Sequence, residues 1–488
     1  MLRPRLTAAL ATLLPALLLP ALALPAAAQQ CQSGDLYVAS SSLTIGGVAK
    51  CGIVRVDPYT GSKTLVTQFQ QIGTSSGFDP FRGALVLFGT PPVPKPFGLY
   101  AVDSLGNTTF LNTDSANSRT LTATGDGRIY WVATDANIRY IDAANAKHDL
   151  LNQAGTATYK VSSLGSAAGA IHYDAGTNSL FFGYFGLAGP CSGSFSAVTY
   201  VMRAQLNAAG SQVVGAETIV PICLGWTAQL GSDVYTPNAF SKGPGGNIFL
   251  SVDDNTNAAL GRMLLIDPVS LSYSVYATNG PIGTYLPAAT NAGCYSHALG
   301  RAVILDTGGD ALRLYSQGET GAGSVLAQGD LISSGGGSAE QTNVIEVPFG
   351  IFGGLANYGV GTPGCDGAQV MGANSAPVVN APNFRLTTTS APASALGLCL
   401  VTDAADAVGS DPFFIGILLH VDLFASTQVV PIDMQSNGFG FGLTTTNIPL
   451  SPFLLGSTFY AQSIWAWGCA TASPFNLSSS NGLAITIQ

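Results

Sequence analysis

Histidine is the side chain whose ordinary titration lies nearest neutral pH, so its rare occurrences are the first place to look for acid–base chemistry. Four occur, at positions 148, 172, 297 and 420. His172 in AIHYDAG and His297 in CYSHALG each stand shortly before an apolar segment that begins with Asn or Gly. If those segments are corresponding strands, the two histidines offer a general base or a pair of metal ligands in one place. The plainer alternative is two structural histidines. His148, between Lys147 and Asp149, reads as part of a solvated turn. His420, in PFFIGILLHVDLF, shares a strand face with Asp422 and reads as structural.

Carboxylates form the second set. Asp135, the run Asp253-Asp254-Asn255-Thr256-Asn257, and Asp306 with Asp310 lie in three acidic turns. Carboxylate and amide oxygens are the ligands of a hard cation, so Ca²⁺ is the cofactor this pattern would hold, with Asp253 and Asp254 as metal ligands. Asp and Asn also favour turns without any ligand. No HExxH, GxSxG, P-loop or EF-hand pattern is present. Gly243 to Gly246 and Gly335 to Gly337 read as turns, because neither leads from a strand into a phosphate-binding helix.

The elements that would position these residues form a repeat. GRIYWV at 127 recurs as GDLYVAS at 34, GALVLFG at 83, NSLFFGY at 178, GNIFLSV at 246 and GRAVILD at 300. The starts are 49, 44, 51, 68 and 54 residues apart. Each is followed by another apolar strand ending in a turn, such as GIVRVDPYTG at 52 and GRMLLIDPVS at 261. Six β-rich copies at this period predict radial repetition, with blades of four antiparallel strands protecting one another's edges. The chain is therefore expected to be all-β: a six-bladed β-propeller over 29–354, then a C-terminal β-sandwich over 355–488. NVIEVPFGIF, from Asn343 to Phe352, is the segment expected to close the ring against the first blade. In this arrangement His172 lines the channel and His297 lies near the equivalent place in blade six. The acidic turns lie between the second and third strands of their blades, on the face expected to bind.

The repeat resembles six-bladed propellers of the NHL and YVTN type. There, a Tyr-Val-Ala-Asp-like strand precedes Asn and a strand ending in Ile-Asp. Here those residues are Tyr130-Trp131-Val132-Ala133-Thr134-Asp135, then Asn137 and Ile141-Asp142. Blade four departs from the pattern with Gln205-Leu206-Asn207, and blade six with Ser316.

Arg3 and Arg5, the apolar run from Leu6 to Leu24, and Ala26-Ala27-Ala28 before Gln29 read as a signal peptide over 1–28. Pro15 and Pro20 argue against a retained span, and no later run is long enough to cross a bilayer. The expected location is secreted or cell surface. Loss of two arginines and no acid moves the net charge from −9 to −11, which argues against nucleic acid as a partner. A hydrophobic content of 47% excludes a disordered chain. All 8 cysteines follow the leader and none forms a CxxC, so disulfides are expected. Cys31 with Cys51, and Cys191 with Cys223, are near enough to close local loops; the partners of Cys294, Cys365, Cys399 and Cys469 stay open.

Short strands separated by Gly, Pro, Ser and Asn after residue 354 predict the sandwich. Gly361-Thr-Pro-Gly-Cys365, Ile448-Pro449, Gly456 with Phe459-Tyr460-Ala461-Gln462, and a last strand from Leu483 to Ile487 resemble a C-terminal domain recurrent in exported bacterial proteins. That resemblance implies a sorting, surface or accessory role. The expected function is an exported, non-enzymatic propeller that binds an unidentified ligand or scaffolds cell-surface components. The alternatives are an extracellular propeller enzyme (lyase, lactonase or glycoside hydrolase) acting through channel-facing His and Asp, and a purely structural envelope or adhesive protein.

Overall fold

Each repeated strand is entered through a residue in the left-handed region: Gly34, Gly83, Gly127, Asn178, Gly246 and Gly300 have φ of 86°, 61°, 91°, 47°, 82° and 61°. Glycine adopts that conformation without a Cβ clash and asparagine tolerates it, which is why the repeats begin with these two residues. At the next turn an Asx side chain takes over. Backbone amides of Thr60, Leu105, Ala144 and Val269 donate to Oδ1 of Asp57, Asp103, Asp142 and Asp267 at 2.8, 3.0, 2.9 and 2.8 Å. In blade four, Asn207 does the same for Ser211 N at 2.9 Å. Blade six solves the problem differently, with Glu319 Oε2 accepting from Ser316 N at 2.7 Å. The two departures from the repeat thus keep the turn and change its chemistry.

The computed structural model describes residues 31–488 except 32–33, 46–47, 59, 93–94, 117–119, 162–167, 187–197, 223–235, 254–261, 280–292, 307–308, 332–341, 348–351, 353, 366, 375, 380, 382–383, 437–439 and 446–450. The segment 1–28 expected to be a signal peptide, Cys191, Cys223 and Asp254 lie outside the described residues.

Six sheets of antiparallel strands, one of them extended by a short parallel strand, form the blades. Blade one holds β1 (Leu36–Ile45), β2 (Val48–Val56) and β3 (Lys63–Phe69). Blade two holds β4 (Gln71–Asp79), β5 (Ala84–Thr90), β6 (Gly98–Val102) and β7 (Thr108–Asn112). Blade three holds β8 (Thr122–Ala123), β9 (Ile129–Val132), β10 (Ile138–Ile141) and β11 (Lys147–Asp149). Blade four holds β12 (Ala168–Asp174), β13 (Ser179–Gly186), β14 (Val198–Gln205) and β15 (Thr218–Ile222). Blade five holds β16 (Thr236–Lys242), β17 (Ile248–Asp253), β18 (Arg262–Ile266) and β19 (Tyr273–Asn279). Blade six holds β20 (Gly293–Ser296), β21 (Arg301–Asp306), β22 (Ala311–Tyr315) and β24 (Ser324–Gln328), while the short β23 (Thr320–Gly321) pairs with β19 of blade five.

Blade one is completed by β25 (Thr342–Glu346), which pairs antiparallel with β1 from Leu36↔Glu346 to Ser40↔Thr342. The expected closing segment therefore does close the ring. A separate apolar cluster fills each seam between neighbouring blades. Arg82 ties blade two to blade three, donating to the carbonyls of Gly127 and Asp142 at 3.1 and 3.2 Å while pairing with Asp79 at 2.5 Å.

The C-terminal region is β-rich as expected, but its strands join in one nine-stranded sheet with a separate two-stranded ribbon, rather than in two facing sheets of similar size. At one end of the sheet β26 (Leu355–Tyr358) pairs with β36 (Gly482–Thr486). At the other, β27 (Val370–Ala373) pairs with β28 (Leu386–Thr389). The two end strands lie beside each other, so the sheet nearly closes on a core around Trp465, Phe384 and Met434. Phe352, just before this sheet, packs edge-on against Phe78 of blade two at 5.9 Å. His420 is structural, as expected: it is buried, with its ring nitrogens 3.1 and 3.0 Å from the carbonyls of Asp406 and Val360.

The expected Cys31–Cys51 bond is not present; both are free thiols. Cys31 lies before the start of β1, where its amide donates to Gly83 O at 2.9 Å. Cys51 lies at the far end of the β1–β2 hairpin, opposite Phe69, and its Sγ contacts Ser41 O at 3.0 Å. Five residues of strand separate Cys51 from Val56, which pairs with Leu36, a span of ~17 Å. Proximity in sequence failed because the chain between the two runs out and back as a hairpin. Burial pushes the Cys31 thiol up to about 12. The described disulfide is Cys365–Cys469, with Cα atoms 6.6 Å apart. Non-reducing peptide mapping is expected to recover Cys365–Cys469, and to find Cys31 and Cys51 as free thiols with buried Cys31 alkylatable only after unfolding. A Cys31–Cys51 peptide would contradict the placement of β1.

Candidate functional site

The innermost strands β4, β8, β12, β16, β20 and β25 wall the central channel, and most neighbours among them are stitched by side chains. Asn343 Nδ2 donates to Ser76 O at 3.1 Å, joining blades one and two. Thr120 Oγ1 accepts from Ile171 N at 2.7 Å and Thr122 Oγ1 from Tyr173 N at 2.9 Å, joining three and four. Ser241 Oγ accepts from Tyr295 N at 2.9 Å, joining five and six. Glu346 receives Ser296 Oγ at 2.8 Å and the amides of His297 and Ala298 at 3.0 and 3.2 Å, joining six and one. Its Oε2 also lies 3.0 Å from His297 Nδ1.

The seam between blades four and five differs. Among the described residues no hydrogen bond joins β12 to β16. Alternation along a strand sends residues two apart to the same side. His172 and Asp174 of β12 therefore turn towards blade five, and Phe240 and Lys242 of β16 turn towards blade four. The His172 and Phe240 rings meet at 6.4 Å. Tyr173 turns the other way, into the seam between blades three and four.

This seam forms part of a cavity of about 640 Å³ at one mouth of the channel. Its floor and walls include Phe78, Leu121, His172, Phe240, Tyr295 and Val344, and its polar groups include Asp174, Lys242, His297 and Glu346. The rim is made by first-to-second-strand turns at Pro80, Gly125, Ala175 to Thr177 and Gly245 to Asn247, with Asp267 to Val269 from a third-to-fourth-strand turn. Apolar walls with a few convergent polar groups are the usual form of a small-molecule site.

The groups at the open seam are electrostatically linked. Burial lowers the His172 pKa to about 4, opposed by the Asp174 carboxylate and reinforced by the Lys242 ammonium. The ring is accessible from the cavity yet enclosed by protein, so its charged form is poorly solvated. Burial also holds the Lys242 ammonium below its ordinary pKa, against the opposing pull of Asp174. Asp174 is itself oriented by Thr177, whose N and Oγ1 donate at 2.8 and 2.6 Å.

The structure brings His172 and His297 to one cavity, but places the acidic turns elsewhere. Strands of a blade alternate in direction, so second-to-third-strand turns emerge on the face opposite this mouth. Asp135 there accepts from Asn137 N at 3.2 Å and pairs with Arg139. Asp306 is buried and accepts from Arg313 Nε at 2.6 Å and Gly309 N at 2.9 Å. Asp310, with φ of 45°, accepts from Leu331 N at 3.0 Å. Asp253 ends β17, and Asp254 lies outside the described residues. Among the described residues there is no group of three or more His, Cys, Asp or Glu side chains placed to hold a metal. His148 is exposed, 3.0 Å from Asp142 and stacked on Tyr140. Asp174 and Lys242 were not singled out from the sequence. The signal for them is a charged residue closing each first strand, in HYD at 172–174 and FSK at 240–242.

No protein-family model and no curated protein matches the sequence. Among solved structures, the chain is similar to a fungal alcohol oxidase in complex with copper, at 13% identity and a TM-score of 0.37, covering 94% of this chain and 96% of that one. It is also similar to an auxiliary nutrient binding protein from Bacteroides ovatus, at 16% identity and a TM-score of 0.35, covering 53% and 62%. A periplasmic gluconolactonase from Pseudomonas aeruginosa gives 13% identity and a TM-score of 0.38, covering 64% and 86%. Likeness at this level carries no functional argument, which rests on the cavity.

The His172 shift has a sign that can be checked. Its folded value lies below the ordinary 6.5, so the unfolded chain takes up the proton first as pH falls. This contribution to stability is full above 6.5 and declines towards about 4. His172→Gln is expected to remove that part of the acid-side loss, on the order of 1–3 kcal/mol, in denaturant unfolding across this range. Parallel pH profiles for variant and wild type would contradict the enclosure of the ring.

Proposed function

We propose that this propeller is an exported binding protein that takes a small organic molecule into the channel mouth between blades four and five. The carrying observation is the seam itself. The hydrogen bonds that stitch other channel-wall seams give way here to an imidazole, a carboxylate and an ammonium facing one cavity. An imidazole, a carboxylate and an ammonium that line one partly enclosed space are complementary to a polar ligand group seated between them. Phe240, Leu121 and Val344 supply apolar surface for the rest of such a ligand. Export is supported by the leader-like segment over 1–28 and by the Cys365–Cys469 bond, which suits an oxidising compartment. The region after residue 354 would act as an accessory or surface-attachment domain. Among the described residues no helix is long and apolar enough to cross a membrane.

A second reading, an enzyme, draws on the His297–Glu346 contact. A carboxylate on Nδ1 fixes the tautomer that presents Nε2 as a base. Glu346 also receives three further donors that hold the ring closed, so the same contact has a structural use, and binding is the reading adopted.

The test blocks the mouth without touching the polar seam. Ala175 is exposed on the rim, and Ala175→Trp should fill the opening while leaving the melting temperature unchanged. Saturation-transfer NMR with a panel of small aldehydes, carboxylates and monosaccharides should show contacts with the wild type that the variant loses. Asp135→Asn, on the opposite face, should retain them. Contacts that survive Ala175→Trp but vanish in Asp135→Asn would move the site to the other face.

A further inference from the structure

We propose that the turns beside the C-terminal two-stranded ribbon form a docking face for a basic polypeptide segment carrying an apolar anchor; this deepens, and rests on, the reading of the region after residue 354 as an attachment domain. The ribbon is β30 (Ala405–Ser410) paired with β31 (Leu419–Val421). Among the described residues, five phenylalanines are more than half exposed, and all lie in this region. Phe413, Phe414, Phe424 and Phe475, at 53, 88, 77 and 62%, stand on three neighbouring turns. The Phe413 and Phe424 rings meet at 6.4 Å. Phe453, the fifth, stands at the other end of β34 (Thr458–Ala466) from Phe475.

Built turns hold these rings out. Asp411 Oδ1 accepts from Ile415 N at 3.0 Å and Oδ2 from Gly416 N at 2.7 Å, closing the turn that carries Phe413 and Phe414. Asp422 Oδ1 accepts from Phe424 N and Ala425 N at 3.0 and 2.9 Å. Ser473 Oγ donates to Ile415 O at 2.5 Å and accepts from Phe475 N at 3.2 Å, so the third turn is bonded to the first. Phe414 has φ of 55°, a left-handed conformation that a bulky residue adopts only under constraint. Ordered aromatic side chains clustered in water are the usual anchors of an interface.

Charge selects the partner. Residues 355–488 hold six aspartates, no glutamate or lysine, and one arginine. That arginine, Arg385, donates to the carbonyls of Thr444 and Thr445 at 2.8 and 3.1 Å. Asp403, Asp406, Asp411 and Asp422 lie in the ribbon or at its ends. A second copy of the chain would bring the same carboxylates to the same face, and an anionic lipid surface would repel them. Lysine or arginine beside an apolar side chain complements both the rings and the acids.

The test is an array of immobilised random decapeptides probed with the full chain. Bound peptides should be enriched in Lys or Arg next to Leu, Phe or Trp, and binding should weaken as ionic strength rises. Phe414→Gly removes a ring and relieves the left-handed strain, so its melting temperature should be unchanged or raised. Combined with Phe424→Ser, it should cut binding by roughly tenfold. Asp422→Asn keeps the acceptor used by the Phe424 and Ala425 amides and removes one charge, so it should lower binding several-fold. Phe453→Ser should bind as the wild type does. An array that selects nothing, selection without basic residues, or binding indifferent to the paired Phe414→Gly and Phe424→Ser changes overturns the proposal. Self-association in sedimentation that those changes abolish would assign the face to a second copy and overturn it too. Binding to phosphatidylcholine vesicles that they abolish, with no basic peptide selected, would keep the attachment domain and overturn the polypeptide partner.

Discussion

Ring closure by β25 is the constraint on which the other features depend. The strand comes from the end of the propeller segment yet completes its first blade, pairing residue for residue with β1. Without it, the apolar cluster between blades six and one, which includes Val344, would lose a wall. Bringing positions 36 and 346 together costs only logarithmically more than closing a short loop, about 0.6 kcal/mol per doubling. A five-residue ladder and a buried apolar seam are enough to offset that. Glu346 then ties the closing strand to the turn of blade six through four contacts. The same carboxylate fixes His297, so closing the ring and building one side of the cavity are a single event.

The repeat was legible because its punctuation is physical. A left-handed residue opens each second strand, and an Asp or Asn side chain, or Glu319 in blade six, satisfies an amide at the following turn. GRIYWV and its five relatives display the first, and IDAAN and IDPVS the second. NVIEV was legible as a closing strand because it is an apolar stretch left over once six blades are counted. Disulfide pairing was not legible. Cys31 and Cys51 are near in sequence but separated by a hairpin, whereas Cys365 and Cys469 lie 104 residues apart and meet through the curled C-terminal sheet.

The site was half legible. His172 and His297 were recognisable as channel residues because each stands just before a repeat anchor. The acidic turns lie on the face opposite this cavity, where Asp135, Asp306 and Asp310 accept hydrogen bonds that build their own blades. Asp174 and Lys242 escaped notice because a charged residue at a strand end looks like an ordinary solvated terminus. Only the neighbouring blade makes them meaningful. Two strands joined by no hydrogen bond among the described residues present their same-face residues to each other, and at the strand ends those residues are Asp174 and Lys242.

The most direct measurement is a crystal structure from crystals soaked in a cocktail of small carbonyl, carboxylate and hydroxylated compounds. The account predicts ordered density in the channel mouth against His172, Asp174 and Lys242, between blades four and five. Ligand density confined to the second-to-third-strand turns, with the mouth occupied only by water, would contradict it.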